Sequence, residues 1–318
     1  MNILILGGAG FVGSNLVRRC LRDEANRVLV VDSLDPRLRS TKDNLMDVWE
    51  RIDFVEADIR DRKAIEEAVQ NQDVIFNCAA QTSHPISIED PIFDAETNCL
   101  GNLNVLESVR RRNETAKVVY PSTSTVVGRA PDGVIDETQM ERPTDIYSAH
   151  KGVAEKQCQI YNRVHNLNTT ALRLPNIYGP FGKGYPEFGF VNYFIRLALD
   201  DEEITVYGKG EQTRNLLYVE DAVDALYLSA FNDDLVGGIY FAAHEEHPTV
   251  FEIAHEIVNV FGKGKVTTIA WPDVRRRIEV DSVRISSARF RGLTDWSPQF
   301  SLRDGLLKTR EIMEGVGG

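Results

Sequence analysis

Residues 2–13 read NILILGGAGFVG. Ile3–Leu6 is an unbroken apolar run closed by Gly7, and from Phe11 to Arg22 the apolar positions recur at helical spacing. A strand that is apolar on both faces and passes through glycines straight into a helix is the opening unit of a parallel α/β sheet. Gly7, Gly8, Gly10 and Gly13 let the backbone turn sharply and let a pyrophosphate approach the positive N-terminus of that helix. The run reads equally as GxGxxG on Gly8, Gly10 and Gly13 and as GxxGxxG on Gly7, Gly10 and Gly13. Asp32 closes the next strand about twenty residues on, where a carboxylate holds the hydroxyls of an adenosine ribose. It would meet a 2′-phosphate with like charge, so the pattern selects NAD over NADP; Arg37 and Arg39 stand near enough in sequence to weigh the other way. Asp58-Ile59, beyond the third strand, fits either an adenine contact or a solvated loop.

Outward from this unit the rhythm repeats. Val28–Val31, Phe54–Glu56, Val74–Asn77, Val118–Tyr120 and Thr169–Leu172 read as strands, and Lys63–Asn71, Ile92–Arg112 and Tyr147–His165 as helices. The expected fold is α/β, a doubly wound parallel sheet covered by helices on both faces. From about Pro175 the rhythm breaks, and Asn176–Gly189, rich in glycine, proline and aromatics, reads as a ligand-facing loop. A helix at Val191–Leu199, a strand at Ile204–Tyr207 and a helix from near Val219 follow. Beyond them come a strand at Ile239–Ala242, a helix at Val250–Phe261 and a last helix near Leu302–Glu314. The expected division is a cofactor domain over 1–175, also receiving segments near 213–243, and a smaller C-terminal α/β substrate domain over 176–318.

With 42% hydrophobic and 26% charged residues the chain has an ordinary globular balance. It contains no apolar run long enough for a membrane helix, and strand-like sequence from Asn2 leaves no room for a signal peptide, so a cytoplasmic protein is expected. The net charge of -12 argues against a nucleic-acid surface, while a few arginines can still bind phosphates locally. Cys20, Cys78, Cys99 and Cys158 form no CxxC pair and read as buried thiols. The 6 histidines form no HxxxH or HExxH cluster, so no metal site is expected.

Tyr147-Ser148-Ala149-His150-Lys151 places a phenol and an ammonium one helical turn apart on one face. A free tyrosine, with a pKa of about 10, is a poor base near neutrality. A fixed cation beside it favours phenolate and lowers that value, and a positive nicotinamide ring adds to the effect. Ser122-Thr123-Ser124 stands at the end of the preceding strand, the edge at which a parallel sheet presents ligands. A hydroxyl there can share a hydrogen bond with the substrate oxygen that Tyr147 would deprotonate.

GGAGFVGSNL (7–16), NCAAQ (77–81), PSTSTVVG (121–128), YSAHK (147–151) and RLPNIYGP (173–180) occur in this order, followed by VYGKGEQTRNLLYVEDAV (206–223) and TDWSPQFSLRDGL (294–306). Over essentially the whole chain this resembles the extended short-chain dehydrogenase/reductase family, with its NAD-dependent nucleotide-sugar epimerases and dehydratases, and most of all the UDP-glucose 4-epimerase type. The resemblance implies that Gly7, Gly10, Phe11 and Val12 hold the pyrophosphate and that Asp32, Asp58 and Ile59 contact the adenosine half. It implies that Ala79, Ala80, Gln81 and Pro175 line the cofactor cleft, that Asn98 braces it, and that Thr123, Tyr147 and Lys151 are catalytic, Lys151 also holding the nicotinamide ribose. Ser124, His84 and Asn176 fall on the substrate side. Arg214 would clamp a phosphate with a second arginine from Arg275-Arg276-Arg277, Arg276 being favoured. Two departures bear on the sugar: Val127 replaces the tyrosine of the familiar VYG, and His84 falls in the loop near the expected sugar site.

Dehydratases of the family carry an acidic pair directly after the catalytic threonine, and its decarboxylases a glutamate at the second of those positions. Here Ser124 and Thr125 stand there, and neither titrates near neutral pH. The simplest expectation is therefore C4 epimerisation of a nucleotide sugar, UDP by default, through a transient keto sugar. A tyvelose-type 2-epimerase is the nearest rival, suggested by SIEDP (87–91) and FGFVNYF (188–194). Dehydratase and decarboxylase follow, and a non-enzymatic NAD-binding paralogue is the reading from a different class. The resemblance also implies a homodimer paired through the helices at Ile92–Arg112 and Tyr147–His165.

Overall fold

The structure, a computed structural model, describes residues 1–128, 134–271, 282 and 284–315. In chain order the first stretch comprises β1 (Asn2–Leu6), α1 (Phe11–Cys20), β2 (Arg27–Asp32), β3 (Ile52–Glu56), α2 (Arg62–Ala68), β4 (Val74–Asn77), α3 (His84–Glu89) and α4 (Pro91–Asp94). After a π-helical turn at Ala95–Gly101 come α5 (Asn102–Arg112), β5 (Lys117–Thr123), β6 (Val134–Ile135), α6 (Ile146–His165) and β7 (Asn168–Leu174). The rest comprises β8 (Asn176–Tyr178), α7 (Phe190–Leu199), β9 (Glu203–Tyr207), β10 (Leu216–Tyr218), α8 (Val219–Ser229), β11 (Ile239–Phe241), α9 (Val250–Phe261), β12 (Lys265–Ile269), β13 (Arg284–Ile285) and helices at Ala288–Thr294 and Leu302–Gly315.

Seven strands form one sheet in the order β11-β7-β5-β4-β1-β2-β3, every pairing parallel. Because strand side chains alternate, Ile3 and Ile5 enter one apolar layer with Leu16 and Val17 of α1 and Ala222 and Leu226 of α8. Leu4 and Leu6 enter the opposite layer with Ile65 of α2, Val105 and Val109 of α5 and Ala154 of α6. This is the doubly wound arrangement, and its strand order reverses between β1 and β4, where such sheets leave a crevice at their carboxyl edge. Two-stranded parallel pairs β8–β10, β9–β12 and β6–β13 stand apart from the main sheet. No helix among the described residues is long and apolar enough to cross a membrane.

Several boundaries differ from the sequence reading for local reasons. The helix expected over Ile92–Arg112 is interrupted by the π-helical turn, whose buried residues are Thr97, Asn98 and Gly101 while Leu100 is exposed. The helix expected to reach Asn71 stops at Ala68, and Asn71 itself takes a positive φ of 60° that a right-handed helix excludes. Within the stretch read as a loop, Asn176–Tyr178 pairs with Leu216–Tyr218. Too short to show a period, α3 was invisible in the pattern; Ser83 caps it, its hydroxyl accepting the Ile86 N–H, with Pro85 in the first turn. The strand at Lys265–Ile269, the helix at Ala288–Thr294 and a 3₁₀ segment at Lys42–Arg51 were likewise not anticipated.

One buried ion cluster ties α6 to the sheet. The Arg173 guanidinium of β7 donates to Glu155 of α6 at 2.9 and 2.7 Å and also to Glu141. Arg173 and Glu155 are both buried, so each is costly without the other. Glu155→Gln should lower the unfolding free energy by about 3 kcal/mol in urea denaturation; an unchanged midpoint would show that Glu141 alone satisfies Arg173.

Candidate active site

A cavity of about 770 Å³ opens along the carboxyl edge of the sheet at the β1/β4 reversal. Its cofactor end is a cradle of backbone. Gly7 has φ 74°, and a Cβ there would lie 2.6 Å from the N and Cα of Ala79. A Cβ on Gly13 would collide with the Gly7 carbonyl. Gly10 caps α1 without a side chain, so the first N–H groups of the helix remain for an anion. Asp32 is fixed at the wall: Oδ2 accepts the Ala9 N–H at 3.0 Å, and Oδ1 accepts the Leu34 N–H and the Ser40 hydroxyl, each at 2.9 Å. These features fit a dinucleotide. Arg37 is occupied by Asp35 and lies 3.6 Å over the Phe93 ring, while Arg39 faces Glu187 at 3.6 Å and lies 3.8 Å over Tyr185. Neither guanidinium is held open for a 2′-phosphate.

Gly7, Gly10, Phe11, Val12, Asp32, Asp58, Ile59, Ala79, Ala80 and Pro175 all line the cavity. Gln81 and Asn98 do not; they lie behind its wall. The Gln81 amide turns back to the Ser83 carbonyl and to Asp94 Oδ2, and Asn98 bonds the Gln81 backbone both ways, accepting its N–H at 3.1 Å and donating to its carbonyl at 2.9 Å. Asn98 thus braces the loop, and Gln81 shapes it from inside.

The chemical end gathers Thr123, Ser124, Tyr147, Lys151 and His84. Strand β5 runs three residues beyond its expected end, so Thr123 is its last residue and Ser124 opens a 3₁₀ turn. A chain of hydroxyls follows: Ser148 donates to Thr125 Oγ1 at 2.7 Å, and Thr125 and Thr123 share a hydrogen bond of 3.0 Å. Burial, then the charges of Asp94 and Asp145, hold the Tyr147 phenol above the usual tyrosine range, against a hydrogen bond with Thr123 that works the other way. Burial also pushes the Lys151 ammonium down to about 8, with Glu155 opposing. Lys151 Nζ donates to the Pro121 carbonyl at 2.7 Å and sits 4.0 Å over the Tyr120 ring. The expectation that Lys151 lowers the phenol pKa therefore does not hold in the protein without cofactor: burial outweighs it, and the ammonium is anchored to β5. His84 meets Asp145 with Nδ1 at 2.8 Å from Oδ2, its ring edge-to-face with Tyr147 at 4.8 Å between centroids.

On the substrate side the cavity reaches Asn176 and Arg214. Arg275, Arg276 and Arg277 lie outside the described residues. Val127 is buried with Ile135, Phe241, Ala243 and Ile285; it does not itself line the cavity, though Ile135 and Ile285 do. Lys183 was missed in the sequence; it lines the cavity above Phe188, and burial pushes its ammonium down to about 8 while Asp32 opposes. Its only sequence signal was one cation inside a glycine- and aromatic-rich loop. Thr125 and Ser148 were missed as partners because hydroxyls carry no motif of their own.

Residues 3–254 match the NAD dependent epimerase/dehydratase family. A putative UDP-glucose 4-epimerase of Methanocaldococcus jannaschii is 29% identical, with 98% of each chain covered. The CDP-paratose 2-epimerase of Salmonella typhi is 26% identical over 97% of this chain and 98% of its own. Among solved structures, the UDP-glucose 4-epimerase of Thermotoga maritima with UDP-glucose superimposes with a TM-score of 0.90 at 28% identity, covering 100% of both chains.

The electrostatics of Tyr147 can be read directly. In a spectrophotometric pH titration of cofactor-free protein, the tyrosinate signal that Tyr147→Phe removes should appear only above pH ~10. Added NAD should move it to lower pH, because positive charge nearby favours the phenolate. A signal already present near pH 8 without cofactor would contradict the dominance of burial.

Proposed function

The chain belongs to the NAD dependent epimerase/dehydratase family, an enzyme family that takes NAD and acts on nucleotide sugars, and within it we propose that this protein inverts carbon 4 of a UDP-linked sugar. The observation that carries the reading is the hydroxyl wall after Thr123. Ser124 and Thr125 follow it directly, Thr125 is engaged by Thr123 and Ser148, and neither residue offers the acid that elimination or decarboxylation requires. What remains serves a reversible oxidation.

Thr123 and Tyr147 hold the sugar hydroxyl between them, and Tyr147 takes its proton as general base. Gly7–Val12 and Asp32 would hold NAD, which when bound would supply the hydride acceptor and donor. Asp94 and Asp145 act on the phenol, and Lys151 stands one helical turn on, held to the Pro121 carbonyl. Arg214 and Asn176 bind the diphosphate, and the room in the cavity lets the keto sugar present its other face before the hydride returns. A UDP-hexose or UDP-uronic acid should therefore give a product of unchanged mass inverted at C4, and Tyr147→Phe should lower turnover by roughly a hundredfold or more. Mass spectrometry and proton NMR of the reaction mixture decide this. A loss of about 18 mass units, one water, would make the protein a dehydratase. Inversion at C2 would favour the 2-epimerase reading, which Phe188, Gly189 and Phe190 of the FGFVNYF stretch support by lining the cavity.

The protein further pairs as a homodimer. Ile92, Leu100, Val153, Ile160 and Val164 are exposed apolar residues on α4, the π-helical turn and α6, the last three along one face of α6. Sedimentation should give about twice the chain mass of 35.8 kDa, and Ile160→Glu with Val164→Glu should return it to the monomer; a wild-type monomer at micromolar concentration would remove the pairing.

A further inference from the structure

His84 and Asp145 form a second titratable pair at the chemical end of the cavity, and the hydride transfer described above passes no proton through it. His84 opens α3, and Asp145 caps α6. His84 Nδ1 stands 2.8 Å from Asp145 Oδ2, while Asp145 Oδ1 accepts the Ser148 N–H at 2.8 Å, so the carboxylate is fixed from two sides. Burial works to raise the Asp145 carboxyl, but the bonds from His84 and Ser148 outweigh it and keep it below the usual carboxylate range. Capping α6 needs only Oδ1. Oδ2 is spent on the imidazole, and a carboxylate so placed holds the ring proton on Nδ1. Nε2 is then the ring nitrogen left for the cavity, which His84 lines beside Tyr147. With the two rings edge-to-face, the imidazole stands next to the phenol that serves the sugar hydroxyl. Asp94 acts on that phenol from α4, and its own Oδ1 is taken by His150 at 2.6 Å.

We propose that His84, oriented by Asp145, is a second acid/base residue of this site, removing and returning the proton on a carbon next to the keto carbon. This rests on the reading that a keto sugar forms. Once the alcohol carbon is a ketone, a hydrogen on the adjacent carbon is acidic. The C–H bond breaks and its proton passes to Nε2. The electron pair forms the carbon–carbon double bond, and the carbonyl pair moves onto oxygen, which faces the hydroxyls of Thr123 and Tyr147. Return of the proton from Nε2 restores the ketone, with no net oxidation. One imidazole suffices for removal and return. Losing water would need a further group to protonate the departing hydroxyl, and Ser124 and Thr125 do not supply one, so the outcome is exchange with solvent rather than elimination.

The probes are UDP-glucose, UDP-glucuronic acid and dTDP-glucose, each incubated with NAD-loaded protein in deuterium oxide. Inversion at C4 is followed by proton NMR and carbon-bound deuterium by mass. At least one sugar should be recovered with deuterium next to C4, and His84→Gln should lower the ratio of deuterium taken up to inversions at least tenfold, with Asp145→Asn acting in the same direction. Inversion without carbon-bound deuterium overturns the proposal and leaves the C4 reading standing. Uptake at an unchanged ratio in His84→Gln assigns the exchange to another base and also overturns it. Absence of inversion with all three probes removes the C4 reading, and the proposal with it. A second readout needs no turnover: above the imidazole's own titration, nitrogen NMR of the free protein should find the His84 ring protonated at Nδ1 and bare at Nε2. The opposite tautomer would overturn the assignment.

Discussion

The turn between β1 and α1 is built where a methyl group does not fit. Gly7 presses against the backbone of Ala79, and Gly13 against the carbonyl of Gly7. Two consequences follow from this close approach. It brings the ends of β1 and β4 together at the reversal of strand order, so the crevice is narrow enough for backbone N–H groups to meet a pyrophosphate. It also fixes the segment after β4, whose Gln81 is held by Asn98 from the π-helical turn. A side chain on Gly7 would push that segment outward, and with it His84 on the far side of the same loop. The cofactor cradle and the sugar wall are therefore set by one backbone contact.

Burial dominates the electrostatics of the chemical end. The Tyr147 phenol and the Lys151 ammonium both lose water on folding, and each is driven toward its neutral form: the phenol upward, the ammonium to about 8. Asp94 and Asp145 reinforce this for the tyrosine. The nicotinamide ring of a bound NAD would bring positive charge to this end of the cavity, the direction that favours the phenolate. The geometry gives Lys151 a second function, since its bond to the Pro121 carbonyl ties α6 to the end of β5 just where Thr123 emerges.

How much of this was legible in the sequence differs by the kind of signal. The sheet was readable because buried parallel strands are apolar on both faces, and the glycine turn, Asp32 and the Tyr147–Lys151 pair because each needs a fixed residue type at a fixed spacing. The structure gathers these residues around one cavity. Illegible were the elements too short to show a period, such as α3, and the π-helical turn, whose buried residues are Thr97, Asn98 and Gly101 and so leave no apolar pattern. Gln81 is expected to line the cleft, whereas its amide is committed to the Ser83 carbonyl and Asp94, partners that only the folded loop brings together; Asn98 braces that loop, as expected. Lys183 lies within Asn176–Gly189, a stretch that reads as a ligand-facing loop, but a single cation there has no partner at a fixed spacing to mark it. Val127, which differs from the familiar tyrosine, packs behind Ile135 and Ile285 at the cavity wall, a placement that no local pattern announces.

One helix carries nearly all of the chemistry. Asp145, Tyr147, Ser148, Lys151 and Glu155 lie within the cap and first turns of α6, and each reaches a different part of the fold. Asp145 holds His84 of α3, Ser148 holds Thr125 after β5, Lys151 holds Pro121 within β5, and Glu155 holds Arg173 in β7. Tyr147 reaches Thr123 at the end of β5, a hydroxyl partner that can share a proton with substrate. The pairs differ in burial. Glu155 and Arg173 are closed off from water, whereas the His84–Asp145 pair is open to the cavity. A closed ion pair can only hold position. An open pair with one nitrogen facing substrate can also move a proton, and that difference in exposure separates the structural end of α6 from its chemical end.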